Sequence, residues 1–271
     1  MTDSRTKLKV RLDVLLVERG LAESRQKAQA MLLAGLVSSE GRRLDKAGSA
    51  IPIDLPLTIA PGRRFVGRGA NKLGPALTRF GVDVAGRDAL DVGASTGGFT
   101  QVLLESGASR VIALDVGRGQ LDWTLRNDPR VTLLEGVNVR YVDPGVLPFR
   151  PSIATIDVSF ISLRQVLTPT SACLTPGADV VALAKPQFEV GRGRVGKGGI
   201  VRDPALWDEV LTGLVAFAQD NHLGPVGIAR SALPGASGNV EFFLHLRPSS
   251  APAAPAILNT LRYEAVHAPT P

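Results

Sequence analysis

Four charged residues stand beside apolar segments that have the length of β-strands. Lys72 precedes the first of these segments, Asp157 and Lys185 each follow one directly, and Glu241 lies in the last, residues 240–246. Charged side chains are rarely buried without partners. These positions therefore predict a partly buried cluster of two lysines and two carboxylates, groups that can orient a reacting hydroxyl or move its proton.

A glycine-rich turn follows the first apolar segment, in the sequence LDVGASTGGFT at residues 90–100. In open α/β sheets, the first turn after a strand is where a nucleotide-like cofactor binds. Gly93 permits a close backbone approach, and Gly97 and Gly98 let a helix begin against the ligand. Asp115 ends the next apolar segment, 22 residues after Gly93, and suits a carboxylate that accepts both ribose hydroxyls.

The spacing of this turn bears on which nucleotide it binds. It reads G-A-S-T-G-G rather than the dinucleotide pattern G-x-G-x-x-G. Asp91, which precedes the loop, would repel a pyrophosphate but attract the α-ammonium group of S-adenosylmethionine. We therefore predict S-adenosylmethionine, with NAD and a purely structural β–α turn as the alternatives. The predicted cofactor-binding residues are Asp91, Gly93, Ser95, Thr96, Gly97, Phe99, Asp115, Asn138 and Asp157.

The elements that must position these residues alternate between strand-length apolar segments and helical ones. The strand-like segments are residues 89–92, 111–114, 131–134, 153–156, 180–184, 226–228 and 240–246. This alternation predicts an α/β fold with a mostly parallel sheet that is covered on both faces. Residues 248–271, rich in Pro and Ala, are expected to form a loose tail with one or two helical turns near residues 257–266.

The N-terminal part of the chain has another pattern and most of the charge. Two short helices, the first near residues 10–19 and the second capped by Ser24 and ended by Gly35, precede β-like pieces at 36–38 and 57–59. Residues 1–66 hold twelve Lys or Arg and seven Asp or Glu, so they carry +5 of the chain's formal charge of +6. We predict a basic module at 1–60, a linker at 61–66 and a near-neutral domain at 67–247, with a polyanion as partner.

Several classes of protein are disfavoured by composition. Cys173 is the only cysteine, which excludes an intramolecular disulfide and a cysteine-based metal site. The charged N-terminus lacks the apolar core of a signal peptide, and no apolar run approaches the ~20 residues of a membrane span. We therefore expect a soluble, cytoplasmic protein with no metal and no membrane partner, and we make no prediction of its oligomeric state.

Long motifs in this sequence resemble the TlyA family, whose members are often labelled haemolysins. The resemblance covers nearly all of residues 8–247. One departure is Gly67, where we expect Ser ahead of Arg-Gly. The motifs are GRGANKL, LDVGASTGGFT, DVGRGQL, IDVSFISL, KPQFEVGRGRVGKGG and LPGASGNVEFF.

The resemblance implies a small α+β S4-like domain followed by a Rossmann-like class I methyltransferase domain of the FtsJ type. The sheet of such a domain has seven strands, is mostly parallel and has an antiparallel last strand. The implied activity is S-adenosylmethionine-dependent 2′-O-methylation of a ribose in ribosomal RNA, with cytidine as the expected nucleotide and ribosomal subunits as partners.

The resemblance also places a Lys-Asp-Lys-Glu catalytic tetrad on Lys72, Asp157, Lys185 and Glu241. A free lysine has a pKa near 10.4, and a second ammonium, a sulfonium and partial burial would all lower it. We expect Lys185 to act as the base or as the group that orients the hydroxyl. Lys72 would steady the developing oxyanion, and the two carboxylates would hold the lysines in place.

RNA contacts are expected from both domains. The S4-like domain would grip phosphates with a basic face, and the glycine-rich loop 191–202 would form a mobile lid or simply be disordered. Phe160 and Phe188 each lie three residues beyond a tetrad member, and one of them could stack on a flipped base, although core packing is the commoner role. The predicted RNA-binding residues are Arg11, Arg19, Arg25, Lys27, Arg42, Arg43, Arg192, Arg194 and Lys197.

Three other functions stay open at this point. The haemolysin label suggests a membrane-active cytolysin, although the sequence has no evident amphipathic pore element or export signal. A methyltransferase acting on a small molecule would not need the basic module. A ribosome-binding factor without catalytic activity would not need the tetrad.

Overall fold

The computed structural model describes residues 9–22, 24–33, 36–59, 65–191, 193–248 and 250–268. The chain forms two compact units, Met1–Arg64 (unit 1) and Phe65–Pro271 (unit 2). Unit 1 has one hydrophobic core, and unit 2 has two core clusters.

Unit 1 is a small α+β structure. Strand β1 pairs antiparallel with β4, and β2 lies between β3 and β5. Leu12, Leu15 and Leu16 share the buried face of α1, so the predicted spacing is confirmed, but the helix begins later than residue 10 because residues 9–11 pair with β4. Gly35, which was expected to end α2, lies outside the described residues. The elements are β1 (Lys9–Arg11), α1 (Leu12–Glu18), α2 (Arg25–Leu33), β2 (Val37–Ser39), β3 (Arg42–Arg43), β4 (Ala50–Pro52) and β5 (Thr58–Ile59).

Unit 2 is built on a seven-stranded sheet, as the sequence predicted. The strand order is β11-β12-β10-β9-β6-β7-β8; β12 is antiparallel to both neighbours and every other pairing is parallel. The parallel strands therefore end at one edge of the sheet, where ligands bind in such folds. The strands are β6 (Asp88–Val92), β7 (Arg110–Asp115), β8 (Val131–Glu135), β9 (Ile153–Ile156), β10 (Asp179–Ala184), β11 (Leu223–Arg230) and β12 (Phe242–Pro248).

Helices cover both faces of this sheet. Alternate residues of β6 point to opposite sides, since Leu90 and Val92 belong to one core cluster and Ala89 belongs to the other. Among the helices of the described segments, none combines the length and apolar character needed to cross a bilayer. The helices are α3 (Ala70–Phe80), α4 (Gly98–Glu105), α5 (Trp123–Arg126), α6 (Leu167–Ala172), α7 (Pro186–Glu189), α8 (Pro204–Asp220) and α9 (Pro255–His267).

Helix α9 corrects the expectation of a loose C-terminal tail. It has 13 residues, and Leu258, Ala265 and Val266 are buried. Arg262 joins it to α8 through an ion pair with Asp208 at 2.6 Å. Composition misled here because proline is well tolerated in the first turn of a helix and alanine is the best helix former.

Candidate active site

The glycine-rich turn follows β6 and requires glycine at two positions. Gly93 has a φ of 84° and Gly97 a φ of 98°, conformations that residues with a Cβ rarely adopt. A Cβ on Gly93 would overlap the carbonyl oxygen of Asp157, and one on Gly97 would overlap the Leu125 side chain. The turn therefore packs against the end of β9 and against α5 without room for further atoms.

A cavity of about 190 Å³ opens beside this turn. One side is the turn itself together with Phe99, which is buried and packs against Phe243 with 6.1 Å between ring centroids. The other side carries Asp157 and Lys185, from the ends of β9 and β10. Five predicted cofactor residues thus share one cavity with a predicted catalytic lysine. The lining residues are Gly69, Gly93, Ala94, Ser95, Thr96, Gly98, Phe99, Asp157, Ser159 and Lys185.

Asp115 ends β7, and two backbone amides anchor its carboxylate. Ser95 N donates to Oδ2 at 2.8 Å, and Gly117 N donates to Oδ1 at 2.6 Å. A carboxylate has about four acceptor sites, so lone pairs remain for two ribose hydroxyls. Val137 N donates to the carbonyl oxygen of Asp115 at 3.1 Å, which brings the neighbouring Asn138 close to this strand end.

Asp91 occupies a different place from the one its predicted role needs. It is fully buried and does not line the cavity. Its carboxylate accepts hydrogen bonds from Thr100 of α4 at 2.7 Å and from Thr155 of β9 at 3.1 Å. Burial raises the pKa of Asp91 to about 7, although both hydroxyls favour the ionised form. The geometry thus makes Asp91 a tie between α4 and β9, and direct contact with an ammonium group stays a prediction.

The predicted tetrad forms two lysine–carboxylate pairs. Lys72 Nζ lies 2.6 Å from Glu241 Oε2, and Lys185 Nζ lies 2.7 Å from Asp157 Oδ1. Lys185 also donates a hydrogen bond to Ser159 Oγ at 2.9 Å. Its contact with Asp157 lacks hydrogen-bond geometry, so Asp157 Oδ1 is buried with an ion-pair partner but no hydrogen bond. Burial raises the pKa of Glu241, and Lys72 offsets part of that effect.

Sheet topology explains why distant residues meet here. Asp157 and Lys185 follow the parallel neighbours β9 and β10. Ala184, the last residue of β10, pairs with Phe242, the first of the antiparallel β12, so Glu241 precedes β12 at the same edge. Lys72 comes from the first turn of α3.

The glycine-rich loop after Lys185, expected to be a mobile lid or a disordered loop, forms hydrogen bonds with the rest of unit 2 through its described residues 193–202. The Asn239 side chain accepts from Val201 N and donates to Gly199 O, both at 2.9 Å. Trp207 Nε1 donates to Val201 O at 3.0 Å. Arg194 pairs in a two-pronged contact with Glu209, whereas Lys197 is exposed, and Arg192 lies outside the described residues.

The predicted RNA-binding arginines of unit 1 are not all free. Arg11 and Arg25 form ion pairs with Asp13. Arg19 donates to the carbonyl oxygens of Ile53 and Leu55, so it ties α1 to the turn after β4. Lys27, Arg42 and Arg43 are exposed, and Arg43 also has a partner within the structure.

Phe160 is not a core residue. Its side chain is 90% exposed, and its backbone has a φ of 63°, in the left-handed region. Its ring lies 5.2 Å from that of Phe188, which in turn lies 6.0 Å from Lys185 Nζ. Phe188 therefore lies close both to an exposed aromatic ring and to the candidate catalytic lysine.

Sequence reasoning missed several residues that hold this site together. Ser159 and Asn239 each lie two residues from a tetrad member, so the two-residue period of extended chain could have indicated them. Thr155 lies on an apolar strand, where a lone hydroxyl also signals a buried partner. In unit 1, Asp13 was missed as well, and it has only the weaker signal of a carboxylate beside arginine.

Comparison with known proteins places the chain in a family. Residues 65–248 match the model of the FtsJ-like methyltransferases, and residues 10–52 match the S4 domain. A Mycobacterium tuberculosis protein named 16S/23S rRNA (cytidine-2′-O)-methyltransferase TlyA is 48% identical over 88% of this chain and 90% of its own length. Hemolysin A of Brachyspira hyodysenteriae is 38% identical over 87% of this chain and 99% of its own length.

A solved structure supports the same placement. A Streptococcus thermophilus protein that carries a hemolysin name is 41% identical, covers 96% of both chains and has a TM-score of 0.71. The match therefore extends over nearly the whole chain. The chain therefore belongs to the TlyA family of FtsJ-like methyltransferases.

Proposed function

We propose that this protein transfers a methyl group from S-adenosylmethionine to the ribose 2′-oxygen of a cytidine in ribosomal RNA. The observation that carries the proposal is the cavity where a glycine-rich turn faces the Lys185–Asp157 pair. The names of the relatives supply the substrate class. The Lys185–Asp157 pair distinguishes this function from that of a ribosome-binding factor, which would need no lysine in a cavity.

The residues beside the turn fit the proposed cofactor. Glycine at positions 93 and 97 lets the turn pack closely against the end of β9 and against α5, and Asp115 keeps acceptor sites for ribose hydroxyls. Ser95, Thr96 and Phe99 border the same cavity. S-adenosylmethionine, when bound, supplies an electrophilic methyl group on a sulfonium. Asp157 borders this cavity, and its carboxylate would favour a positively charged sulfonium nearby.

The proposed chemistry depends on Lys185. Its Nζ already bonds a hydroxyl, that of Ser159, so it can bond a ribose 2′-hydroxyl that enters the cavity. In its unprotonated form Lys185 would accept the hydroxyl proton while the 2′-oxygen bonds to the methyl carbon and the bond between that carbon and sulfur breaks, which leaves S-adenosylhomocysteine; Asp157 would stabilise the resulting ammonium. The charges of Lys72 and Glu241 would contribute to the electrostatic potential at the Lys185–Asp157 pair. The rest of the rate acceleration would come from orienting the 2′-oxygen toward the methyl group.

RNA binding is assigned to both units. Unit 1 offers the exposed Lys27, Arg42 and Arg43, besides Arg11 and Arg25. In unit 2, Lys197 lies on the glycine-rich loop, and Phe160 offers a face on which a flipped base stacks. Arg19 and Arg194 are engaged with their own units, so we assign them no phosphate in this form of the protein.

The test is to map methylation by the purified full-length chain. Ribosomal subunits that lack the modification are incubated with labelled S-adenosylmethionine and the wild type or Lys185→Ala, and 2′-O-methyl positions are read by nucleotide. Methylated cytidines that require Lys185 are the expected result. Transfer only to small molecules, or none to RNA, would refute the proposal. Red-cell lysis by both variants alike would favour the cytolysin alternative.

A further inference from the structure

The carboxylate of Asp13 in unit 1 is completely buried among basic and polar side chains. Asp13 lies in the first turn of α1, and its side chain is 0% exposed. Arg11 of β1 donates to both of its oxygens at 3.1 Å. Arg25 and Gln29, both on α2, donate to Oδ2 at 3.0 Å and 3.1 Å. Asp13 thus joins three side chains from two elements.

The two arginines remain open to a ligand. The Arg11 and Arg25 side chains are 52% and 56% exposed. A guanidinium has five N–H donors; toward Asp13, Arg11 uses two and Arg25 uses one. The group keeps a net charge of +1, so it attracts an anion although it contains a carboxylate. The Arg11 hydrogen bond, followed by that of Gln29, holds the pKa of Asp13 well below its usual range, so the carboxylate stays charged.

We propose that Asp13 is a positioning residue for RNA phosphate, which fixes Arg11 and Arg25 as one two-pronged site. Two adjacent guanidinium groups repel each other, and each long side chain loses rotamer entropy when it is held in one geometry. A buried carboxylate between them removes the repulsion and sets both forks before RNA arrives. Arginine forks bind phosphate through paired, charge-assisted hydrogen bonds whose strength depends on that geometry. The inference rests on the proposed function because it takes RNA as the anion.

If Asp13 positions the arginines, its replacement should change the affinity for RNA in the direction opposite to that expected from simple electrostatics. A negative charge on a basic face weakens RNA binding, so its removal alone should raise the affinity. If Asp13 positions the arginines, Asp13→Asn should instead lower the affinity. Asp45, an exposed carboxylate of the same unit, provides the matched control, because Asp45→Asn changes the charge equally.

The experiment measures binding of the full-length protein to deproteinised large-subunit ribosomal RNA over a series of salt concentrations. We expect Asp13→Asn to weaken binding about tenfold, as the loss of a well-placed charged hydrogen bond does. The slope of log affinity against log salt should flatten by about 1 to 2, one for each phosphate that the arginines no longer neutralise. Asp45→Asn should bind as tightly as the wild type or tighter. A folded Asp13→Asn that binds equally or more tightly overturns the inference.

Arg11→Lys decides the matter if Asp13→Asn does not fold. It keeps the charge but loses the fork that spans both oxygens of Asp13, so it should weaken binding nearly as much as Arg11→Ala. Wild-type affinity in Arg11→Lys would overturn the inference. Failure of the proposed function looks different, because RNA would then bind with these differences while no methyl group is transferred.

Discussion

The two lysine–carboxylate pairs of the candidate site are alike in distance and different in access. The Lys72 and Glu241 side chains are 9% and 3% exposed, whereas those of Lys185 and Asp157 are 11% and 22% exposed and border the cavity. Lys72 and Glu241 thus satisfy each other inside the protein. Lys185 Nζ contacts both Asp157 and the Ser159 hydroxyl, so a substrate hydroxyl can replace one of these two partners. A lysine paired with a carboxylate can therefore hold a fold together in one place and, as proposed for Lys185, serve catalysis in another.

Replacement of Lys185 should have the largest effect on activity. Lys185→Ala removes the proton acceptor, and general-base assistance contributes about 10²–10⁴-fold, so the methylation rate should fall by at least about 100-fold. The measurement is single-turnover methylation of ribosomal RNA, with calorimetry of S-adenosylhomocysteine binding as a control that should not change.

Lys185→Arg separates charge from proton transfer, because arginine keeps its proton in proteins. A rate close to that of Ala supports a base. A rate close to wild type shows that Lys185 acts by charge and orientation, and the comparison between the two pairs would then be one of access alone.

The buried Lys72–Glu241 pair should contribute more to the free energy of unfolding than the Lys185–Asp157 pair. Glu241→Ala leaves Lys72 buried without a partner, which typically costs about 3–5 kcal/mol. Asp157→Ala should cost less than this, because Lys185 keeps the Ser159 hydroxyl as a partner and borders the cavity, where water can reach it. Urea unfolding monitored for unit 2 measures both. Equal losses would contradict the division into a structural and a chemical pair.

The sequence predicted where the charged residues of the site lie better than it predicted the partners of other polar side chains. Strand-length segments and their alternation with helices were sufficient to place Asp157, Lys185 and Glu241 at one edge, because β9, β10 and β12 meet in register there. Periodicity reports which face a residue takes, not which partner a long side chain reaches. For that reason Arg19 and Arg194 were expected to bind RNA and are found bonded within their own units. The roles of Asp13 and Asn239 depend on contacts between elements that are distant in sequence, which a pattern within one element does not contain.

Asp91 extends the comparison to a buried carboxyl that lacks a lysine. Its pKa is about 7 in the folded protein, above the unfolded value near 4, so the folded chain binds a proton between these values that the unfolded chain has released. Its contribution to stability is therefore full below pH about 4 and declines until pH about 7.

Asp91→Asn should remove this pH dependence. Between pH 4 and pH 8, the wild type should lose up to about 4 kcal/mol of unfolding free energy relative to the Asn variant, the equivalent of about three pKa units. Urea unfolding of both proteins across this range makes the comparison, and the other titrating groups cancel in the difference. A constant difference would show that Asp91 ionises normally despite its burial.

Phe160 should give the smallest effect, and one confined to RNA. Its ring is 90% exposed, and its left-handed φ of 63° has a cost for any residue other than glycine. Core packing therefore does not explain a phenylalanine at this position. Phe160→Leu keeps an apolar side chain and the backbone strain but removes the stacking face. Loss of one base–aromatic stack is worth about 1–3 kcal/mol, so the KM for RNA should rise at least about fivefold while the single-turnover rate at saturating RNA stays within about twofold. Calorimetry of S-adenosylhomocysteine binding should show no change. If the rate falls as in Lys185→Ala while KM is unchanged, Phe160 supports Lys185 rather than stacking on an RNA nucleobase. The most direct route would be through Phe188, whose ring lies 5.2 Å from that of Phe160 and 6.0 Å from Lys185 Nζ.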